Sequence, residues 1–196
     1  MEYMPKRAVE FARGCYYHAY NRGFFRNPIF YNPTNYIYAL KLIQKYFPQY
    51  GISIIAYCLM PNHYYFLVRQ DGDICMNAAI RDTFNAYVQG FNRRFKRQGA
   101  LFQGRFQTIL VEDESYLIHL FRYIHRNPID CHLPLISKLD DWQYSNYPEW
   151  IGKRNGKFID TGFVKEYFQN RAEYQSFVLE RPNSKVLRGI GKYVLC

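Results

Sequence analysis

Hydrophobic and polar positions in the first half of the chain follow the period of a strand in some stretches and the period of a helix in others. Alternation at every second residue predicts a strand at residues 15–22, and two runs rich in strand-forming residues predict strands at 52–58 and 63–69. The short proline-containing segment 59–62 suits a hairpin connection between the last two strands. A further strand is predicted at residues 106–111. Together these runs supply the strands of one sheet.

Three stretches have apolar residues at the helical period of about 3.6 residues. The first begins at Thr34, between the first two strands. The second covers residues 76–95 and is closed by Gly99, and the third follows the N-cap residue Asp113 and stops at Pro128. The resulting order is β-α-β-β-α-β with an additional C-terminal helix. This order predicts an α+β, ferredoxin-like fold with helices against one face of an antiparallel sheet.

The length of 196 residues is that of one large domain. We expect residues 1–151 to form this domain and residues 152–196 to form a basic C-terminal tail without a core of its own. The predicted fold carries many functions, among them RNA recognition, ligand-dependent regulation and nucleic-acid cleavage. The function therefore has to be inferred from the residues of a site.

The charge of the chain indicates the kind of partner. With 26 Lys and Arg against 16 Asp and Glu, the formal net charge is +10, which favours a polyanion such as a nucleic acid. No signal-like apolar segment follows Met1, and the longest apolar window, residues 52–60, is too short to span a bilayer. We therefore expect a cytoplasmic protein without a membrane partner. The five scattered cysteines form no Cys-x-x-Cys pair and indicate neither a disulfide framework nor a zinc finger.

The end of the third predicted helix carries the first candidate site. Tyr123 and Asn127 are four residues apart and lie about 40° apart on the helix surface, beside an apolar stripe. A tyrosine in this place is a candidate covalent nucleophile, and the asparagine is a candidate metal ligand. Simple packing is the alternative for the tyrosine. The position before Pro128 also disfavours helical backbone at Asn127.

The strand predicted at residues 63–69 carries the second candidate site. His63 and Tyr65 project from the same face, because side chains alternate along a strand. Side chains with this spacing are able to share one cation. The first strand contributes His18, which is expected to neighbour the His63 strand, although the sequence does not fix the face on which it lies.

Five sequence blocks resemble, in the same order, those of the single-tyrosine transposases, and most closely the REP-associated tyrosine transposases. The blocks lie between about residues 5 and 152, and they are YYHAYNRG (16–23), AYCLMPNH (56–63), LFQGRF (101–106), YIHRNP (123–128) and DWQYSNY (141–147). The coverage and the shared order make this resemblance specific to the family.

The resemblance implies an activity and a set of site residues. Tyr123 would attack a DNA phosphodiester, giving a 5′-phosphotyrosine intermediate and a free 3′-hydroxyl that reverses the reaction. His63 and Asn127 match ligand positions for a divalent cation, Mg²⁺ or Mn²⁺. The substrate would be single-stranded DNA next to a hairpin, with palindromic repeats as candidate targets. The expected DNA-binding residues are basic, and they are Arg22, Arg93, Arg94, Lys96, Arg97 and Arg105.

Tyr65 departs from the family pattern, in which the strand carries a His-hydrophobic-His pair. A neutral phenol is a much weaker cation ligand than imidazole. Three interpretations stay open. The cation site works with His63, Asn127, phosphate oxygens and water; or another group such as His18 completes it; or the protein is a domesticated, non-catalytic DNA-binding protein. An RNA-recognition domain is a further alternative, although the chain lacks the aromatic signature of such domains.

Overall fold

Four strands form one antiparallel sheet. The computed structural model describes residues 11–133, 137–156 and 160–180. The strands are β1 (Tyr16–Arg22), β2 (Ile52–Met60), β3 (His63–Gln70) and β4 (Gln107–Val111). Their order in the sheet is β2-β3-β1-β4, and every pairing is antiparallel. The four predicted strands are confirmed.

The helices complete the predicted α+β, ferredoxin-like arrangement. They are α1 (Pro33–Gln49), α2 (Met76–Phe95), α3 (Glu114–Asp130), α4 (Tyr147–Trp150), α5 (Thr161–Tyr167) and α6 (Arg171–Leu179). The helices α1 and α2 pack against one face of the sheet, and the additional helix α3, which carries Tyr123, packs against the other face. None of the helices within the described ranges is long and apolar enough to cross a membrane.

Two predicted helix ends differ from the structure. Pro128 does not stop α3, which continues to Asp130. Proline only removes one donor in this last turn, and the turn is continued by a hydrogen bond of 2.9 Å from the Cys131 N–H to the Asn127 carbonyl. Helix α2 ends before Gly99, because Lys96 takes up the left-handed conformation (φ 49°) that terminates it. The predicted N-cap Asp113 is confirmed, since its carboxylate accepts from the Tyr116 N–H at 2.7 Å.

The sheet is buried on both faces. Along β3, Tyr64 and Phe66 contribute to the core under α1 and α2, whereas Tyr65 and Leu67 contribute to the core under α3. This arrangement accounts for much of the aromatic content, because aromatic side chains fill both cores. Within the described ranges, the exposed aromatic side chains are Phe24, Phe25 and Tyr31.

Residues after position 151 contribute to the second core. Phe163 of α5 and Tyr174 and Val178 of α6 are buried together with the apolar face of α3. The division into a domain of residues 1–151 and a tail of residues 152–196 stays a prediction, because residues 157–159 and 181–196 lie outside the described residues.

A buried asparagine links strand β2 to helix α3. Asn146 accepts from the Tyr57 N–H at 2.7 Å and donates to the Ile55 carbonyl at 2.9 Å, at the place where a register irregularity interrupts the β2–β3 pairing. The same side-chain oxygen lies 2.8 Å from Nε2 of His125, whose Nδ1 meets the Tyr174 hydroxyl. Asn146 therefore satisfies the irregular backbone of β2 and holds α3 against it.

We expect Asn146→Ala to destabilise the fold by about 3 kcal/mol, because it leaves the Tyr57 N–H and the His125 ring without their buried partner. The measurement is the free energy of urea unfolding. Asn155→Ala, at an exposed position, serves as the control and should change this free energy by less than about 0.5 kcal/mol. Equal effects of the two substitutions would contradict the role given to Asn146.

Candidate functional site

Helix α3 lies across the face of β3 and brings the two predicted halves of the site together. His63 Nε2 lies 2.9 Å from Asn127 Oδ1. The hydroxyl groups of Tyr123 and Tyr65 are hydrogen-bonded at 2.8 Å, and their rings meet edge to face. Asn127 is helical despite the following proline and is fully buried. Four residues from two distant sequence blocks thus form one cluster.

His63 is oriented by its neighbour Asn62. Asn62 donates its amide to the Arg26 carbonyl at 3.2 Å, which leaves its side-chain oxygen facing Nδ1 of His63 at 2.6 Å. Both ring nitrogens of His63 therefore face amide oxygens, those of Asn62 and Asn127, and a neutral imidazole donates to only one of the two. Burial lowers the pKa of His63 to about 4, with the hydrogen bond to Asn127 acting against this shift and the nearby Arg22 charge adding to it, so the ring is neutral at physiological pH.

The pair formed by His63 and Asn127 fits a divalent cation. Neighbouring ligands of an octahedral Mg²⁺ lie about 2.9 Å apart, because each is about 2.0–2.1 Å from the ion. The spacing between His63 Nε2 and Asn127 Oδ1 has this value. Within the described ranges, no group of three or more His, Cys, Asp or Glu side chains has a metal-binding arrangement. Such a cation would therefore need further ligands from a substrate or from water.

Tyr65 is enclosed by aromatic rings on the site face of the sheet. Its neighbours include His18, Tyr20, His63 and Tyr123, with ring centroids 5.1 to 6.1 Å away. Its hydroxyl accepts a hydrogen bond from the hydroxyl of Tyr123. Tyr65 thus contacts the candidate nucleophile directly.

The hydroxyl of Tyr123 is held in its protonated form. Burial raises its pKa to about 12, while its hydrogen bonds with Tyr65 and Asn127 act in the opposite direction. The side chain is 6% exposed. A phenol in this state needs a proton acceptor or a nearby cation before it becomes a strong nucleophile.

The register of β1 excludes His18 as a ligand beside His63. His18 shares the site face but pairs with Leu67, whereas Arg22 pairs with His63. Four residues along a strand separate the two histidine positions by about 13 Å. His18 is fully buried, and burial lowers its pKa to about 3. The hypothesis that His18 completes the cation site is therefore wrong.

Two of the predicted DNA-binding residues lie near this end of the sheet. Arg22 directly neighbours His63 in the β1–β3 pairing, and its Nε donates to Gln103 at 2.7 Å. The loop that contains Gln103 also carries the exposed Arg105, and it is fixed to β1 by a bond from the Asn21 amide to the Gly104 carbonyl. Arg22 thus neighbours the site directly, whereas Arg105 lines a cavity with Asn21 and Tyr64 on the α2 side of the sheet.

The other four predicted residues lie at the C-terminal end of α2. Arg93, Arg94 and Lys96 are exposed, and Arg97 lies half-buried over the ring of Phe91. This end of the helix leads directly into the loop that contacts β1. The cluster is thus connected to the end of β1 that carries Arg22 by the short, uncharged segment 98–102.

Two residues of the site region are not singled out by the sequence. Asn62 lies in the predicted hairpin connection, and in the structure its side-chain oxygen also faces Nδ1 of His63. Asn146 lies in the DWQYSNY block and holds α3 in place through His125. Its position next to the tryptophan and tyrosines of that block was the available signal, but its partners are 21 to 91 residues away.

The fold is similar to that of known transposases. The structure of the REP-associated tyrosine transposase bound to a REP hairpin superposes with a TM-score of 0.63 at 17% identity, covering 80% of this chain and 94% of that chain. A candidate transposase from Deinococcus radiodurans R1 gives a TM-score of 0.43 at 14% identity, covering 62% of this chain and 97% of that chain. No curated protein matches the sequence. The first comparison assigns the chain the fold of a tyrosine transposase.

The sequence supports a more specific assignment. The family described as Transposase IS200 like matches residues 11–127, which is more than half of the chain. The protein belongs to the IS200-like transposase family. The matched residues include all of the clustered side chains His63, Tyr65, Tyr123 and Asn127.

The buried histidines predict a loss of stability in mild acid. Burial lowers the pKa of His18 and His125 to about 3 and that of His63 to about 4, below the unfolded value of 6.5. Between these values the unfolded chain binds more protons, so stability falls as the pH falls from 6.5 towards 4. Between pH 7.5 and 5.5 the three groups should together remove about 4 kcal/mol from the free energy of unfolding.

Urea unfolding at the two pH values measures this loss. His63→Gln should reduce the difference in the free energy of unfolding between the two pH values by about a third, because it removes one of the three titrating groups. A free energy of unfolding that is unchanged between pH 7.5 and 5.5 would show that these rings are not held neutral by burial.

Proposed function

We propose that the protein binds single-stranded DNA next to a hairpin and cleaves and rejoins it through Tyr123, as a transposase of the REP-associated type. The observation that carries this proposal is the meeting of Tyr123, His63 and Asn127 in one cluster. The fold shared with a transposase whose structure contains a REP hairpin supports the choice of DNA. The net charge of +10 supports it independently.

Tyr123 is the nucleophile in this proposal. Its Oη forms a bond to the phosphorus of the scissile phosphate, the bond to the 3′-oxygen breaks, and a 5′-phosphotyrosine results. The proton that the phenol loses is balanced by the proton that the leaving 3′-oxygen gains. Because the phosphodiester energy is kept in the new bond, the 3′-hydroxyl is able to reverse the step.

His63 and Asn127 are the proposed ligands of a divalent cation, Mg²⁺ or Mn²⁺. When bound, the ion would polarise the scissile phosphate and favour loss of the tyrosine proton. With the cation on Nε2, the ring proton of His63 would lie on Nδ1, where the side-chain oxygen of Asn62 would accept it. The imidazole ligand favours Mn²⁺ over Mg²⁺.

The proposed DNA-binding surface joins the basic residues around the site. We assign Arg22, which pairs with His63, to a phosphate near the scissile bond, and Arg105 to a phosphate on the α2 side of the sheet. The exposed Arg93, Arg94 and Lys96 and the half-buried Arg97 extend this positive surface away from it. Phosphate contacts of this type orient the strand, whereas sequence recognition requires contacts with bases.

The test is to incubate the protein with a labelled hairpin that carries single-stranded flanks, in Mg²⁺, in Mn²⁺ or with chelator. Wild type should form a denaturant-resistant protein–DNA adduct that requires metal. Tyr123→Phe should abolish the adduct and leave the affinity within about threefold, because only one hydroxyl is removed and its hydrogen bond is made to Tyr65 within the protein. An adduct of equal yield in Tyr123→Phe would overturn the assignment of the nucleophile.

A non-catalytic DNA-binding protein on the same fold is the second candidate function. The hydrogen bond between the hydroxyl groups of Tyr65 and Tyr123 favours this second function. Tyr65 stands at the position of the second histidine of the His-hydrophobic-His pair, and the candidate nucleophile Tyr123 is almost fully buried. In this case wild type binds the hairpin tightly without any adduct. Tyr65→His should then produce a metal-dependent adduct, since it restores an imidazole ligand beside His63.

A further inference from the structure

An exposed aromatic tip follows strand β1. In this tip, which consists of residues 23–27, Phe25 is 78% exposed and Phe24 is 45% exposed. Both Phe25 (φ 51°) and Arg26 (φ 60°) have left-handed backbone, which residues with a side chain disfavour. The Phe25 ring is exposed to solvent and therefore does not stabilise the core, although its backbone conformation is strained. Strain of this kind is typical of functional sites.

The tip is fixed next to the candidate cation site. The Gly23 N–H donates to the Asn62 carbonyl at 2.7 Å, and the Phe24 N–H donates to the Leu101 carbonyl at 3.0 Å. Asn62 also donates its side-chain amide to the Arg26 carbonyl and faces Nδ1 of His63. A Cβ on Gly23 would lie 2.0 Å from the Asn27 carbonyl oxygen, so the tight turn at the base of the tip requires glycine. One residue, Asn62, thus bridges the tip and the site.

The surroundings of the tip carry positive charge without acidic residues. Residues 11–33 contain three arginines and no Asp or Glu, and residues 93–111 contain five Lys or Arg and no Asp or Glu. The two segments meet where Gly23 pairs with Phe102 and where the Gln103 N–H donates to the Arg22 carbonyl. An aromatic ring on such a surface is complementary to a nucleic acid, whose phosphates meet the arginines and whose bases stack on the ring.

We propose that Phe25 stacks on an unpaired base next to the scissile phosphate and so places that phosphate at His63 and Tyr123. Phe24 supports the ring from the side, with centroids 4.3 Å apart and planes at 60°. Because stacking uses the face common to all bases, Phe25 contributes affinity and position without a preference for sequence. The proposal rests on the proposed function for its ligand, DNA, but does not require that the protein cleaves.

The experiment measures the affinity for hairpins with single-stranded flanks, in chelator so that cleavage plays no part. An abasic nucleotide is placed in turn at each unpaired position beside the hairpin. In wild type, one position should weaken binding about tenfold when its base is missing. Phe25→Gly should bind the intact hairpin about tenfold more weakly than wild type does. Removing the base at that position should not weaken the binding of this variant any further.

Two control variants separate stacking from damage to the fold. Phe25→Trp keeps an aromatic face and should retain the wild-type pattern. Ile74→Ala removes a comparably exposed apolar side chain elsewhere and should also bind as wild type does. Phe25→Gly should raise the melting temperature while it lowers the affinity, because glycine relieves the left-handed strain. Opposite changes in stability and affinity exclude misfolding as the cause of weak binding.

Failure of this proposal is distinguishable from failure of the proposed function. The role of Phe25 would be overturned if removal of a base weakened binding equally in wild type and in Phe25→Gly, or if it weakened binding at no position in wild type. Either result would overturn it even when the Tyr123 adduct forms. Coupling between Phe25 and one base, in a protein that forms no adduct, would support the stacking role and leave the second candidate function.

Discussion

The two-sided burial of strand β3 is the constraint on which the rest of the structure depends. Its side chains alternate between a core under α1 and α2 and a core under α3. Because both faces carry mainly apolar side chains, exposure of either face to water would be unfavourable. Helix α3 is therefore required to cover the second face. Because His63 and Tyr65 lie on that face, covering it places the residues of α3 against them. The same packing that completes the core thus assembles the candidate site.

Burial also determines the chemistry of the site. It keeps His63 neutral and therefore able to offer a lone pair, and it keeps Tyr123 protonated and therefore dependent on activation. Tyr65 lies between the two, because its ring meets that of His63 and its hydroxyl accepts the hydrogen bond of Tyr123, at the position where the sequence resemblance implies a second histidine. Whether the chain cleaves DNA depends on how far His63 and Asn127 compensate for this replacement.

The sequence predicts those features that depend on local patterns. Alternation and helical periodicity identify the strands and the first three helices, and four-residue spacing places Tyr123 and Asn127 on one helix face. Local patterns do not predict contacts between residues that are far apart in the chain. The hydrogen bonds of Asn146 to β2 and the packing of α5 and α6 on α3 are contacts of this kind. The second role of Asn62 and the exposure of Phe25 depend on how the loop after β1 meets the β2–β3 hairpin.

The most direct test of the central claim is to identify the residue that becomes joined to DNA. After reaction with the hairpin in Mn²⁺, the protein is digested with nuclease and trypsin, and the nucleotide-bearing peptide is sequenced by mass spectrometry. Cleavage after Arg122 and Arg126 releases the peptide YIHR, whose single tyrosine is Tyr123. The added nucleotide should lie on this peptide. A nucleotide on a peptide that contains Tyr65 or another tyrosine, or no covalent nucleotide at all, would contradict it.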